Sequence, residues 1–171
     1  MCWGNIKMSK LPSRKPNRYK YHCYSKSGTY FVTICTEGRK TILWQSANSA
    51  VGANSVRPLT KIGNITKKSV ENISEYYANV FVDSYVIMPN HVHMILCIYN
   101  DGRTLFAPTV SRAIKHFKEY ITKQTGCSIW QKSFHDHVIR NKHSYTNIKN
   151  YIQNNPQLWE YDCYNPERNT P

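Results

Sequence analysis

Two short patterns in the sequence hold residue types able to do chemistry. The first is His91-Val92-His93, leading into Met94-Ile95-Leu96. On a strand, side chains alternate with period two, so His91 and His93 share one face while Val92, Met94, Leu96 and Ile98 share the other. The apolar face is the core face, and the two imidazoles then project together from the opposite one. Two neutral imidazoles side by side can chelate a divalent cation, although a His-x-His on a strand is more often structural. The second pattern is Tyr151-Ile152-Gln153-Asn154-Asn155-Pro156. On a helix, Tyr151 and Asn155 are four apart and lie one above the other, presenting a phenol and an amide oxygen as a pair. Tyr145 is six residues away, on another side. With 13 tyrosines in the chain, spacing alone does not single out Tyr151.

The elements that must position these groups follow from periodicity and turn chemistry. Tyr30 to Thr36 is aromatic and β-branched and predicts a first strand. Ser46 to Pro58 is small and polar, a surface loop. Val70, Ile73 and Tyr77 fall at helical spacing within Ile62 to Tyr77. Val80 to Met88 and His91 to Ile98 predict a hairpin about Pro89-Asn90. A second helix runs from Val110 to Thr125, burying Ile114, Phe117 and Ile121 and ending at Gly126. A fourth strand lies within Ile129 to Ile139. Asn141 caps a last helix carrying Tyr145, Ile148 and Ile152, and Pro156 stops it, pushing Asn155 out of the helical region. The order β-α-β-β-α-β plus a helix predicts an α+β, ferredoxin-like antiparallel sheet. Two helices cover one face and leave the histidine face open.

Charge points to the partner. The chain of 171 residues has a formal net charge of +13, and residues 1–70 hold 13 Lys/Arg against the single carboxylate Glu37. Such a field favours a polyanion, and the expectation is nucleic acid. We read residues 1–24 as a basic arm, 25–159 as one domain and 160–171 as a loosely ordered tail. Arg14, Lys15, Arg18 and Lys20 in the arm, interleaved with tyrosines, are candidate phosphate contacts, as are Lys115 and Lys118 on the second helix. No run approaches the 18 or so apolar residues of a membrane span. The N-terminus lacks a signal-peptide core, and the 6 cysteines form no C-x-x-C pair. The expectation is free thiols in a cytoplasmic, nucleoid-associated protein without a membrane partner.

Tyr85-Val86-Ile87-Met88-Pro89-Asn90-His91-Val92-His93 resembles the signature of the single-tyrosine HUH transposases. The stretch Trp130 to Asn141, the block Tyr151 to Pro156, and Gly28-Thr29-Tyr30-Phe31-Val32-Thr33 resemble the branch called REP-associated tyrosine transposases. The likeness runs in order over roughly residues 14–159. It implies a ferredoxin-like core, His91, His93 and Asn155 as metal ligands, Mg²⁺ or Mn²⁺ as cofactor, and Tyr151 as the nucleophile. It further implies a single-stranded DNA substrate next to a short imperfect hairpin, cut and rejoined through a 5′-phosphotyrosine link, and leaves a homodimer open. The proton acceptor is not identified; His135 and His137 share a strand face and are candidates, with structural roles weighing more. A non-catalytic module binding single-stranded or hairpin nucleic acid is the alternative, since Gly28 to Val32 loosely echoes the aromatic strand of an RNA-recognition motif. That reading leaves Tyr151, His91 and His93 unexplained. A replication initiator or relaxase of the same class is a third reading, lowered because the sequence shows no second catalytic tyrosine and no helicase-length extension.

Overall fold

The computed structural model describes residues 27–45, 57–99 and 109–167. Arg14, Lys15, Arg18 and Lys20 of the arm lie outside the described residues, as does most of the loop 46–58. Strand β1 is Gly28–Cys35. Helix α1, Lys61–Tyr76, starts where the Thr60 hydroxyl accepts the Gly63 N–H at 3.0 Å. Strands β2 (Val80–Ile87) and β3 (His91–Ile98) form the expected hairpin. Helix α2, Val110–Thr125, is capped by Thr109 and closed by Gly126 at φ 75°, a left-handed conformation that suits glycine. Strand β4 is His135–Ile139, and helix α3 is Lys142–Asn154, with the Asn141 side chain accepting the Ser144 N–H at 2.8 Å. Every pairing is antiparallel and the sheet order is β2-β3-β1-β4, so the fold is the expected α+β, ferredoxin-like one.

The two faces of the sheet have different tasks. Val92, Met94, Leu96 and Ile98 of β3, with Tyr30, Val32 and Ile34 of β1, are buried against Val70 and Ile73 of α1 and Ala113, Ile114, Phe117 and Ile121 of α2. Each such side chain contributes roughly 1.5–3 kcal/mol when fully buried, so this layer supplies most of the folding free energy. On the opposite face the register sets His93 against Thr33 and His91 against Cys35. This face is not left open: α3 lies over β2 and β3, and His91 and His93 are 0% and 1% exposed.

Strand β4, five residues long, lies within the expected stretch, and Gln131 to Ser133 before it turn their carbonyls to Lys118. The structure departs from expectation at Lys118, at Asn155 and in the C-terminal segment. Lys118 is therefore not a free phosphate contact. Its ammonium donates to Gln131 O at 2.6 Å and Ser133 O at 3.0 Å, and burial lowers its pKa to about 8. Asn155 remains helical at φ −55°, ψ −41°. Pro156 sits in the first turn of a following 3₁₀ helix, Asn155–Tyr161, where an N–H is not needed, so it redirects the chain without ending the helical path. The segment beyond Trp159 folds back on the histidines through Asp162 and Tyr164, in contacts detailed below.

Gly63 tests how tightly α1 seats. A Cβ there would fall inside van der Waals contact with the Leu43 carbonyl oxygen and press on Leu59. Gly63→Ala is expected to destabilise the protein by about 1–3 kcal/mol despite alanine's better helix propensity, read as a lower urea midpoint. A gain in stability would refute this packing.

Candidate active site

The histidines are placed by the turn before them. The Asn90 carbonyl accepts the Thr36 N–H at 2.9 Å and the Thr36 hydroxyl at 3.0 Å, clamping the hairpin turn to the end of β1. The Asn90 amide nitrogen donates to Arg39 O at 3.1 Å and to Tyr164 O at 2.7 Å. With both N–H groups so engaged, its Oδ1 faces His91 Nδ1 at 2.8 Å and can only accept. His91 Nδ1 therefore carries the proton and Nε2 is bare. His93 Nδ1 meets the Thr33 hydroxyl at 2.8 Å, across the ladder. The two Nε2 atoms converge to 3.0 Å. Burial pushes the His91 pKa down to about 2, helped by His93 and Arg39, and that of His93 down to about 3. Both rings are thus held in the neutral form that binds metals.

Helix α3 delivers Tyr151 to this pair. Its hydroxyl lies 3.3 Å from His93 Nε2, and its ring meets Phe31 edge-on at 6.2 Å. Tyr151 as a whole remains 42% exposed. Burial pushes its pKa up to about 12, the Asp162 carboxylate adds to the rise, and a hydrogen bond from Asn155 opposes it. Asn155 is one helical turn on and buried. Its side chain bonds Tyr151 and Asp162 while its Oδ1 has no partner, so both bonds come from the amide N–H groups.

Asp162 is the residue that sequence reasoning missed. It follows the 3₁₀ helix, is buried, and its Oδ2 stands 3.9 Å from His91 Nε2. Its Oδ1 accepts the Tyr164 N–H at 2.7 Å; burial raises its pKa, and the bonds from Tyr164, Asn155 and Cys163 counter the rise. Tyr164 in turn covers His91 at 4.7 Å between centroids, with the Arg39 guanidinium 5.1 Å over its ring. A signal existed in the sequence: Trp159 and Tyr164 are large aromatics unusual in a tail with nothing to pack on.

These residues fit a small divalent cation. His91, His93 and Asp162 each offer a ligand atom, all within 4.8 Å of one another. The orphaned, buried Oδ1 of Asn155 is a further oxygen donor next to Asp162 and Tyr151. Two imidazole nitrogens with carboxylate and amide oxygens make a mixed set of intermediate hardness.

The remaining candidates lie elsewhere. Tyr145 bonds Asp83 at 2.9 Å and does not enter the site. Lys115 is exposed on α2, ion-paired with Glu119 at 3.7 Å. His135 and His137 are exposed on β4, opposite Thr33 and Phe31.

Two measurements check this geometry. In the metal-free protein, His91 and His93 bind protons far below the 6.5 of an unfolded chain. Their contribution to stability is complete above about pH 6.5 and is lost as pH falls from there towards about 3, because the unfolded chain takes up protons that the fold excludes. The urea midpoint should fall from pH 6.5 to 4, and fall less in the His91→Gln/His93→Gln double variant. Thr33→Val removes the group that orients His93 and should weaken Mn²⁺ affinity by roughly 10–100-fold in calorimetric titration.

No protein-family model matches the chain. An uncharacterized protein of Haemophilus influenzae is 31% identical over 87% of this chain and 91% of its own length. A second H. influenzae protein, provisionally named a REP-associated tyrosine transposase, is 24% identical over 78% of this chain and 72% of its own length. Among solved structures, a REP-associated tyrosine transposase bound to a REP hairpin superposes with a TM-score of 0.58 at 23% identity, over 81% of this chain and 72% of that one. The chain belongs to one family with the first H. influenzae protein and, by motif, sequence and fold together, is a relative of the REP-associated tyrosine transposases.

Proposed function

We propose that the protein is a divalent-metal-dependent transposase or strand-transferase acting on single-stranded DNA beside a hairpin. The observation that carries this reading is the Tyr151 hydroxyl 3.3 Å from His93 Nε2, at a buried pair of neutral imidazoles. A binding module leaves a phenol set beside two buried imidazoles unexplained. The relation to REP-associated tyrosine transposases supports a DNA substrate, and the hairpin held by the solved relative supports a hairpin partner here.

In this reading Tyr151 Oη attacks the scissile phosphorus. The Tyr–O–P bond forms, the P–O3′ bond breaks, and the products are a 5′-phosphotyrosine and a 3′-OH that has gained a proton. A second 3′-OH reverses the exchange and rejoins the strands without an external energy source. His91, His93, Asp162 and the Asn155 Oδ1 would hold Mg²⁺ or Mn²⁺, which when bound supplies polarisation of the scissile phosphate and offsets its charge. With its pKa raised, Tyr151 is protonated at neutral pH, and the Asn155 N–H to its oxygen favours the developing phenolate. Lys115 and the arm residues Arg14, Lys15, Arg18 and Lys20 are the proposed phosphate contacts.

The test is incubation with single-stranded hairpin DNA and Mn²⁺, then mass spectrometry of the trapped adduct. Tyr151→Phe should bind DNA and form no adduct. His91→Ala and His93→Ala should lose cleavage while binding the hairpin within a few-fold, because affinity comes mainly from cations on phosphates. Asn155→Ala should cleave slowly and recover in part with excess Mn²⁺. An adduct on any other tyrosine, or one formed by Tyr151→Phe, overturns the assignment.

A further inference from the structure

Helix α3 stands apart from the main core. Among its residues Ile152 is the one classed as fully buried. A second attachment lies toward its start. Strand β2 shifts register between Val82 and Ser84, which pair with Leu96 and Ile95, so Asp83 has no residue opposite it. A bulge of this kind bends the strand and re-aims the extra side chain. The freed Val82 N–H donates to the Ser74 hydroxyl of α1 at 3.2 Å, which holds the bulge from behind. Asp83 Oδ2 accepts the Tyr145 hydroxyl at 2.9 Å and the Lys149 ammonium at 3.2 Å, and Lys149 Nζ lies 3.0 Å from the Tyr145 oxygen. Tyr145, Lys149 and Ile152 fall at i, i+4 and i+7, one stripe of the helix facing the sheet.

We propose that Asp83 is a positioning residue: its carboxylate grips Tyr145 and Lys149 and so sets the placement of α3 that brings Tyr151 to His93 of the same chain. This rests on the reading of Tyr151 as nucleophile. A partly exposed ion pair adds little to global stability, so its effect falls on where α3 sits. Lys149 is two residues, roughly 3 Å of helix rise, from Tyr151. Displacing a reacting group by about 1 Å can slow a step about a hundredfold.

The experiment compares the full-length wild type, Asp83→Ala and Asp83→Asn by two readouts: the single-turnover rate of adduct formation on a hairpin oligonucleotide with Mn²⁺, and amide hydrogen exchange. Asp83→Ala should lower the rate at least tenfold, keep hairpin affinity within threefold, and speed exchange of α3 amides while those of β3 stay protected. Asp83→Asn keeps an acceptor for both partners and should remain within threefold of wild type in both readouts. An Asp83→Ala rate within threefold of wild type overturns the proposal, as does an equal loss in both variants or a lowered rate with unchanged α3 exchange. Should Asp83→Ala not fold, Lys149→Met is read against the same criteria. If the wild type forms no adduct, the nucleophile reading fails, and α3 exchange alone then decides whether Asp83 seats the helix.

Discussion

The Asn90 carboxamide is the joint on which the site depends. In one buried group it ties the turn after β1 through Arg39 O, the C-terminal segment through Tyr164 O, and His91 through Nδ1. Three stretches far apart in sequence therefore share a reference point, and the proton on His91 is assigned by elimination. A buried amide that lost one of these partners would bear the desolvation cost of an unmet polar group, so the joint is held as a unit. The turn it grips includes Arg39 at φ 54°, a left-handed conformation unfavourable for a residue with a Cβ, which the surrounding bonds maintain.

Burial acts on the site residues in one consistent direction. It drives His91 and His93 down and Tyr151 and Asp162 up, disfavouring every charged form. For the histidines this yields free lone pairs at any ordinary pH. For Tyr151 it means the phenol must be activated and cannot be a standing phenolate. For Asp162 the countering hydrogen bonds from Tyr164, Asn155 and Cys163 are what make a buried carboxylate tolerable.

The two faces of the sheet separate stability from chemistry. The face under α1 and α2 is apolar and closely packed, whereas the other carries histidines, threonine and α3, which is attached by few contacts. A helix seated lightly can carry a nucleophile without the core resisting its adjustment, provided some contact restores its place. Lys118 shows the reverse use of charge: a lysine that spacing alone marks as surface is turned inward to hold irregular carbonyls.

Much of the protein was legible in the sequence because its signals are local. Period-two alternation at His91 to Ile98 and helical spacing in α1, α2 and α3 predict the elements, and their order predicts the sheet. The His-x-His and Tyr-x-x-x-Asn motifs, through the family resemblance they carry and not by spacing alone, pick out four residues that the fold brings together. Tertiary structure alone decided the rest, since it depends on partners distant in the chain. Period-two alternation showed which face the histidines share; that the face is roofed follows from α3 and the returning C-terminal segment packing over it. Asp162 joins His91 only through that return, with no spacing pattern to announce it. Lys118 cannot be told from Lys115 until Gln131 to Ser133 are seen to leave the sheet beside it. Local propensity is written in neighbouring residues, whereas burial and the identity of a side chain's partners are properties of the assembled chain.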